Sequence, residues 1–573
     1  MSPHSLPHQM RRTFFRLTTL IGVFCLQTLS QTQAADYDLL LKGGKIVDGT
    51  GNPWFYGDVA LRDNTIVAIA RELRGTADRV IDVSGLIVAP GFIDIHSHSD
   101  WVIVEDGDAQ SKIRQGVTTD IIGEGYSVAP SKGKRSPRTV KTGKQTAKIV
   151  QLKDYFKAIE EKGISINIAS YVGLNSVWEC VMGKSFEQPG TAEIAAMEEL
   201  VAEAMEEGAL GLSSQLMMPP GLLAKTDDVV TLCKVVHRYK GIYSIHIRDE
   251  GLGIFKSIRQ AIEIGERSET PVDIIHLKIA DEKYWGRMNE VVTLFEEARK
   301  RGVNVQANVY PYTRGNNNLS SIIPPWAHEG GQAKMLARLA DPDDRARMKK
   351  DIVNGVEGWY NHYTAVGGDW GRMLVSANNK FKGMTMDKVM AKRTEGRKPN
   401  PDLLDELFDF LIEERGSVGT VYAHHTESDM NLALLQPWCS VGSDGSAYAV
   451  DGPLRRGNPH PRNFGTFPRL LGKYGREQGL LPLEEAVRKI TSLNAAKVGL
   501  KRRGLLKEDY FADITVFDAE KIIDRSDYTD PFHYNEGIVY VVVNGEVVLD
   551  HDQHTGARPG RALRRKAPKS PAK

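Results

Sequence analysis

The middle of the 573-residue chain alternates short apolar runs with longer helical patterns, and this alternation constrains the fold more than any other feature. Stretches such as TAEIAAMEELVAEAMEEG and GIFKSIRQAIEIGERSE are typical of helices. Repeated strand–helix units imply a parallel sheet, and about eight of them imply a closed barrel. The sequence therefore predicts an α/β protein with a (β/α)8 barrel over residues 90–500. The strand-like runs are GVTTDIIGEG, SINIASYVG, GALGLSS, GIYSIHIRDE, PVDIIHLKIA, NVQANVYPY and CSVGSDG.

The barrel pattern is interrupted once and is flanked by β-rich ends. Residues from about 313 to 418 are rich in Gly, Asp, Lys and Trp, and we expect an inserted lid or subdomain there. Short runs rich in Val, Ile and Leu fill residues 35–89 and return in residues 501–560. We expect these two ends to pair into one small β domain. The last residues, 561–573, are basic and predict a disordered tail.

The N-terminus has the layout of a secretory signal peptide over residues 1–34. Three arginines, an apolar run LTTLIGVFCLQTL and small residues around QTQAAD follow one another, with cleavage expected after Ala34. The apolar run is short for a membrane span, so an uncleaved anchor is the weaker alternative. We therefore expect an exported protein, periplasmic or extracellular, with no stable membrane anchor after cleavage.

Composition excludes several classes of partner. The formal net charge is +1 and the sequence pI is about 7.7, which gives no global attraction to nucleic acid or to membrane surfaces. Apolar residues make up 41% of the chain and charged residues 26%, as in a globular protein. We expect a small-molecule partner and no nucleic acid.

Two histidines end the apolar run GFIDIHSHSD, residues 91–100. Residues two apart project from the same face of a strand, so His96 and His98 would lie side by side where the strand ends. Paired imidazoles are natural ligands for a transition metal. The alternative is two histidines in an exposed turn, bonded to backbone or water.

Other polar residues end the later strands in the same way. Because the carboxyl ends of barrel strands meet at one mouth, we expect these side chains to converge there. Each one alone has an ordinary explanation, such as a helix cap, a core histidine or a turn, but together they suit one or two divalent metals, with zinc favoured by the imidazoles. The predicted ligands are His96, His98, Glu124, His246, His276 and Asp444.

At this point the chain resembles the amidohydrolase superfamily, and within it the N-acyl-D-amino-acid deacylase (D-aminoacylase) family. The similarity runs in family order over about residues 37 to 563. It implies a (β/α)8 barrel with a small β-sandwich made from both chain ends, in agreement with the pattern above. The matching words include GFIDIHSHSD, QGVTTDIIGEGYSVAP, GIYSIHIRDEG, DIIHLK, NVYPYT, VGSDGSA, PHPRNFGTFPRLL, ITSLNAAKVGL and RGLLKEDYFADITVFD.

The resemblance also implies roles for the metal ligands. His96 and His98 match the ligands of the more exposed metal, and His246 and His276 those of the tighter one. The best-known members place a bridging cysteine at the end of the second strand, where this chain reads GEGYS, so Glu124 is the expected substitute because a carboxylate can bridge two cations.

Asp444 matches the catalytic aspartate of the family. A zinc ion lowers the pKa of its bound water to about 7 and polarises the amide carbonyl. Asp444 would take the proton during attack and pass it to the departing amine. The implied activity is zinc-dependent hydrolysis of N-acyl-D-amino acids, which releases a carboxylate and a free D-amino acid. A role for Asp444 as a metal ligand is compatible with this one.

The substrate's own carboxylate requires fixed cations. Lys278, Tyr310 and Arg455 match family positions that bind it, with surface charges and a packed tyrosine as the alternative. His460 in PHPR is a weaker candidate. The pair His424 and His425 in YAHHTESD is interpreted as structural or as part of the lid.

Substrate choice and reaction stay open at this stage. Family members often read GLIYPPG where this chain reads QLMMPPG, so Met218 predicts a more apolar or differently shaped pocket. The same scaffold also serves hydrolases of cyclic amides and imides and of unusual dipeptides. The cyclic-amide enzymes usually bridge their metals with a carboxylated lysine, which this second strand lacks. A catalytically silent binding protein is the remaining alternative, and the intact Asp444 and histidines argue against it.

Overall fold

A computed structural model describes residues 35–142, 145–378, 380–398 and 402–566. The predicted signal peptide, residues 1–34, lies outside the described residues, as does the final part of the predicted tail, 567–573. Within the described part of the chain, no helix combines the length and the apolar character that a membrane span needs.

Eight parallel strands form the predicted barrel, with each strand paired to the next along the chain. The first and eighth strands meet through backbone bonds, in which the Asp444 amide donates to the His96 carbonyl at 2.8 Å and the His98 amide to Gly445 at 2.9 Å. The third strand has two pieces, one paired with the second strand and one with the fourth. In order, the strands are Phe92–Asp94, Val117–Ile122, Asn167–Ser170 with Val172–Gly173, Gly211–Gln215, Ile242–His246, Val272–Ile274, Val305–Val309 and Cys439–Val441.

Helices cover the outside of the barrel and bury one face against it. In Ile254–Ser268 the buried residues Ile254, Ile258, Ala261 and Ile262 recur at helical spacing, which directs them at the strands. The other α-helices around the barrel are Val102–Glu105, Gln110–Ile113, Leu152–Lys162, Leu174–Met182, Thr191–Glu206, Thr226–Arg238, Met288–Lys300, Glu427–Leu434, Arg462–Arg469, Leu483–Ile490 and Ser492–Val498. A π-helix covers Leu470–Glu477, and 3-10 turns cover Gly221–Leu223, Glu282–Tyr284 and Gly452–Leu454.

The two ends of the chain form one nine-stranded sheet, as their short runs of Val, Ile and Leu predict. Ile514–Phe517 from the C-terminal part pairs antiparallel with Ile87–Pro90 from the N-terminal part. The buried apolar residues of both parts pack into one core. The remaining strands are Tyr37–Ile46, Phe55–Arg62, Thr65–Ala70, Ala77–Asp82, Ile538–Val543, Glu546–Asp550 and Gln553–His554. A separate hairpin, Arg138–Thr142 with Gln145–Ile149, lies between the second and third barrel strands.

The predicted insertion is a compact subdomain with its own hydrophobic core. It contains a three-stranded antiparallel sheet of Gly315–Asn318, Gly419–Tyr422 and Met373–Ala377. The insertion therefore ends with the strand Gly419–Tyr422, slightly beyond the predicted limit of 418. Its helices are Gln332–Ala340, Pro342–Asn354, His362–Ala365, Met386–Thr394 and Leu403–Glu413, with 3-10 turns at Leu319–Ile322, Pro325–His328 and Trp370–Arg372.

The first part of the predicted disordered tail is ordered, so that prediction is wrong for residues 561–566. The Leu563 amide donates to the Ile168 carbonyl of the third barrel strand at 2.7 Å. Arg564 pairs with Glu160 at 2.8 Å. These residues attach to the bottom of the barrel because their backbone finds partners there, which composition alone does not reveal.

Candidate metal centre and active site

All six metal ligands predicted from the sequence lie together at the carboxyl ends of the barrel strands. They form two groups, and in each group the ligand atoms lie within 4.8 Å of one another. Glu124 is the residue that belongs to both groups. The first group is His96, His98, Glu124 and Asp444, and the second is Glu124, His246 and His276.

In the first group, two imidazoles face two carboxylates. His96 Nε2 lies 2.7 Å from Glu124 Oε2, and His98 Nε2 lies 3.1 Å from the same oxygen. His98 Nε2 also lies 2.9 Å from Asp444 Oδ1. These contacts join ligands from the first, second and eighth strands.

In the second group, Glu124 uses its other oxygen. Glu124 Oε1 lies 3.0 Å from His246 Nδ1, which lies 3.2 Å from His276 Nε2. His276 Nδ1 lies 3.0 Å from the buried carboxylate of Glu250. Nδ1 thus faces the pair of Glu250 and Lys278, and Nε2 faces His246 and the cluster.

The backbone turns sharply at two of these ligands. His276 has φ of 41° and Asp444 has φ of 51°, both in the left-handed region that residues other than glycine rarely adopt. Each such residue costs on the order of 1–3 kcal/mol, and such strain concentrates at functional sites. The strands before them stop at Ile274 and Val441, so the ligands occupy the first loop residues and not the strands themselves.

The carboxylates of the cluster are held in their ionised form. Burial alone would raise the pKa of Glu124, but His96 and His246 outweigh it and hold that pKa well below its usual range. Burial likewise opposes ionisation of Asp444, and Arg462 and His96 lower the pKa of this carboxyl. Anionic oxygens next to imidazole lone pairs are the donors that a divalent cation requires.

The donor set fits one or two divalent metals. Three imidazole nitrogens lie within 3.1 Å of the one Glu124 carboxylate, and two imidazole nitrogens lie 3.2 Å apart. If hydrogen bonds alone held these groups together, nearly every one of the nitrogens would need a proton. A bound cation instead accepts the lone pairs of the nitrogens and the carboxylate oxygens at the same time. The mixture of imidazole and carboxylate is the set that zinc and its neighbours prefer.

Lys278 and Tyr310 lie beside the second group, as predicted. Lys278 Nζ lies 2.8 Å from His276 Nδ1 and donates to Glu250 at 2.5 Å. The Tyr310 ring lies 5.8 Å from Lys278 Nζ and is buried. Glu250 was missed in the sequence, although GIYSIHIRDEG places it four residues after the ligand His246, beyond the same strand end.

Arg455 does not reach the metal cluster, which corrects its predicted role. Its side chain is exposed, donates to the Val450 carbonyl at 2.6 Å and stacks on Phe532. The buried arginine of the same segment is Arg462, whose Nη1 lies 2.7 Å from Asp444 Oδ2. The loop between the eighth strand and the helix Arg462–Arg469 turns Arg455 outward, and linear proximity to Asp444 could not show this.

The guanidinium of Arg462 has free capacity for an anion. It lies 4.8 Å above the Tyr310 ring, and its Nε makes no hydrogen bond within the described residues, while Nη1 pairs with Asp444. A buried arginine with unused donors is suited to bind a carboxylate through two parallel bonds. Arg462 is the arginine of the motif PHPR, in which only His460 is predicted as a candidate from the sequence.

The three remaining histidine candidates are all buried near Tyr310. His460 accepts from the Arg462 amide at 3.1 Å and donates to the Arg314 carbonyl at 2.9 Å, so it is a support for Arg462. The ring centroids of His425 and Tyr310 lie 6.0 Å apart, and His424 bonds to His425.

A cavity of about 500 Å3 opens from the metal ligands towards the inserted subdomain. Its wall carries amides, hydroxyls and charged groups, among them Asn316, Ser376 and Asn463. Met218 instead packs with Met217, Ala280, Tyr360 and Ala365 between the barrel and the insertion. Met218 does not line this cavity, so the expectation of a more apolar or differently shaped pocket stays a prediction.

Fold and donor set together define a barrel-type metal-dependent hydrolase, and comparisons with known proteins agree. A family model described as "Amidohydrolase family" matches residues 441–549. The D-aminoacylase of Alcaligenes xylosoxydans xylosoxydans is 32% identical over 545 residues, which are 94% of this chain and 100% of that protein. The N-acyl-D-aspartate deacylase of the same organism is 30% identical over 92% of this chain and 95% of its own length.

A solved structure gives the same result. The N-acyl-D-glutamate deacylase of Bordetella bronchiseptica, complexed with zinc and a phosphonate mimic of the tetrahedral intermediate, matches with a TM-score of 0.76 and 28% identity. The match covers 92% of this chain and 99% of that one. The chain thus belongs to the D-aminoacylase family of amidohydrolases, and it is a metal-dependent enzyme that acts on linear amides.

Metal analysis tests the assignment of the cluster. We expect one or two equivalents of divalent metal in the purified protein, and a loss of metal in His96→Ala and His246→Ala because each removes a ligand of one group. A thousandfold excess of free metal over Kd stabilises a folded protein by about 4 kcal/mol, so chelation should lower Tm and zinc should restore it. His237→Ala, on an exposed histidine, is the matched control. Unchanged metal content in both ligand variants would contradict the assignment.

Proposed function

We propose that the protein hydrolyses N-acyl-D-amino acids with zinc as its metal, releasing a carboxylate and a free D-amino acid. One observation carries the proposal, namely that Asp444 lies between the metal ligand His98 at 2.9 Å and the buried Arg462 at 2.7 Å. A carboxylate that exchanges protons thus lies between a metal cluster and a group that binds anions. An amide whose nitrogen carries a carboxylate-bearing carbon fits this arrangement.

Arg462, Tyr310 and Lys278 are suited to hold the α-carboxylate of the substrate. Arg462 has unused donors, and the Tyr310 hydroxyl adds another. Both side chains are buried, so their bonds to a carboxylate form away from water, where charge-assisted bonds are strong. This grip fixes the position of the scissile amide relative to Asp444.

The metal would be held by the two groups of ligands, with Glu124 common to both. When bound, a divalent metal polarises the amide carbonyl and lowers the pKa of coordinated water to about 7. Asp444 accepts a proton from the attacking water through one of its carboxylate oxygens. It then donates this proton to the amide nitrogen, because an amide nitrogen that leaves without a proton is a very poor leaving group. Arg462 keeps the carboxylate oriented during both transfers.

Zinc and the number of metals rest on the donor chemistry and on relatives. Four imidazoles favour zinc, and Glu124 offers one oxygen to each group. The Bordetella relative was solved with zinc, and a solved D-aminoacylase, 31% identical, is described with a binuclear metal centre, one-metal activation and second-metal attenuation.

Asp444→Asn should abolish turnover while metal stays bound. Loss of a general acid–base group costs about 10²–10⁴-fold in rate, and we expect at least the upper part of this range because Asp444 acts in both transfers. Free amine release from N-acetyl-D- and N-acetyl-L-amino acids of acidic, apolar and basic type is the measurement. Release from D substrates alone supports the proposal. If the metal-loaded wild-type protein releases amine from none of these substrates, the proposal is contradicted, and dipeptides and cyclic amides become the substrates to test.

Arg462→Lys should raise KM for every N-acyl-D-amino acid by about tenfold or more. A lysine keeps the charge but lacks the planar guanidinium that forms two parallel hydrogen bonds with a carboxylate. Arg455→Lys is the control from the same segment and should leave KM unchanged. The Arg455 guanidinium donates to the Val450 carbonyl and stacks on the Phe532 ring, away from the metal cluster. A KM that responds to the Arg455 variant and not to the Arg462 variant would reverse the assignment.

We also infer that the protein is exported after removal of residues 1–34. The basic start, the apolar run and the small residues around Ala34 support this inference. The mature protein should begin at Ala35 when its N-terminus is sequenced from the fraction outside the cytoplasmic membrane. A chain that still begins at Met1 in that fraction would contradict cleavage.

A further inference from the structure

Three buried histidines that extend from Tyr310 into the insertion have no part in the chemistry described so far. His424 and His425 follow the last strand of the insertion, and His362 begins one of its helices. Ring centroids lie 6.0 Å apart from Tyr310 to His425, 5.1 Å from His425 to His424 and 6.3 Å from His424 to His362. The histidines form a continuous imidazole wall from Tyr310 into the insertion.

The hydrogen bonds fix which nitrogen of each ring carries the proton. His425 Nε2 lies 2.8 Å from the Tyr312 carbonyl, which only accepts, so this nitrogen bears the hydrogen. In the neutral ring Nδ1 of His425 then carries a lone pair. His424 Nδ1 lies 3.0 Å from it and must donate. The remaining nitrogen, His424 Nε2, is therefore an acceptor.

The surroundings keep both rings neutral. Burial lowers the pKa of His425 to about 3, and the nearby Lys278 acts in the same direction. Burial, followed by the neighbouring His425 and Lys278, holds the pKa of His424 well below its usual range. His424 thus keeps a lone pair at Nε2 and does not become a cation.

Gly315 allows the backbone to approach this lone pair closely. A Cβ on Gly315 would lie 2.7 Å from His424 Nε2 and 3.5 Å from the Tyr310 hydroxyl. Within the described residues, His424 Nε2 has no hydrogen-bond partner, while its other nitrogen is used. Gly315 therefore lies next to a fixed acceptor and also next to the Tyr310 hydroxyl, a group that the proposed function gives to the substrate's α-carboxylate.

We propose that His424 Nε2 accepts a hydrogen bond from the side chain of the D-amino acid, so that the enzyme prefers side chains with an N–H or O–H donor, such as amides and alcohols. This inference rests on the proposed function and specifies its substrate class. A side chain attached next to the α-carboxylate extends from Tyr310 along the imidazole wall.

The same contact disfavours side chains of equal shape without a donor. A carboxylate would place a lone pair against the lone pair of His424, and a hydrocarbon would leave this acceptor buried and unpaired. Lys278 offers no free charge for a second carboxylate because the proposed function already gives it to the α-carboxylate, and Glu250 pairs with it at 2.5 Å. Sites built to bond a substrate group reject analogues that lack it more strongly than purely apolar pockets reject a size change.

The test compares N-acetyl-D-glutamine, N-acetyl-D-glutamate and N-acetyl-D-norleucine on the zinc-loaded full protein. The first two have the same shape and differ in the donor. We expect kcat/KM for the glutamine substrate to exceed the other two about tenfold or more, which corresponds to one hydrogen bond at tenfold per 1.4 kcal/mol. In His424→Phe this ratio should fall to about one, mainly through KM for the glutamine substrate.

Two further variants separate recognition from damage to the fold. Gly315→Ala should lower kcat/KM for the glutamine substrate because its methyl group meets His424, and His424→Gln should reduce the ratio while preserving a polar side chain. His551→Phe, on an exposed histidine of the terminal sheet domain, is the control and should change nothing. Metal content and Tm are measured for every variant, so that a variant that does not fold is recognised. If His424→Phe does not fold, the substrate ratio of His424→Gln tests the proposal.

The outcomes distinguish this inference from the proposed function. If the protein hydrolyses N-acetyl-D-alanine but its kcat/KM for the glutamate substrate equals or exceeds that for the glutamine substrate, the role of His424 is overturned and the proposed function stands. A preference for glutamine that survives in His424→Gln and His424→Phe overturns it as well. No hydrolysis of any D substrate by the metal-loaded protein overturns the proposed function, and this inference with it.

Discussion

Closure of the barrel between its first and eighth strands is the constraint on which the active site depends. The Asp444 amide donates to the His96 carbonyl, and the His98 amide donates to the Gly445 carbonyl, so the two loops that carry candidate metal ligands are bonded to each other. Gly442 permits this approach, because a Cβ there would lie 2.9 Å from the His96 side chain. Without this closure Asp444 would lie on a free edge, away from the histidines.

A buried polar network under the ligands stabilises the same junction. Lys112 Nζ bonds to Asp94 at 2.6 Å and to Ser443 at 2.9 Å, and all three side chains are inaccessible to solvent. Removing one partner of a buried ion pair leaves an uncompensated charge and costs about 3–5 kcal/mol. The network ties the first strand to the residue before Asp444, and it supports the strained conformation that turns this carboxylate into the mouth.

Residues that end a strand were predictable, whereas residues on long loops were not. His96, Glu124 and His276 follow apolar runs, and parallel topology directs such positions to one mouth. Arg455 and Arg462 follow the same strand at different distances, and the course of the loop between them decides that Arg462 is buried and Arg455 exposed. Glu250 has no comparable local signature, because its partners Lys278 and His276 follow the next strand.

The sequence by itself determined the barrel, the pairing of the chain ends, the six clustered donors and the family, because these follow from periodicity and from residue types at strand ends. Only the tertiary structure decided which arginine approaches Asp444, that the tail is ordered through 566, and that His424 presents a lone pair. These features depend on contacts between segments distant in sequence. A hydrogen bond to a carbonyl on another loop, such as that of Tyr312, fixes a tautomer that no local pattern encodes.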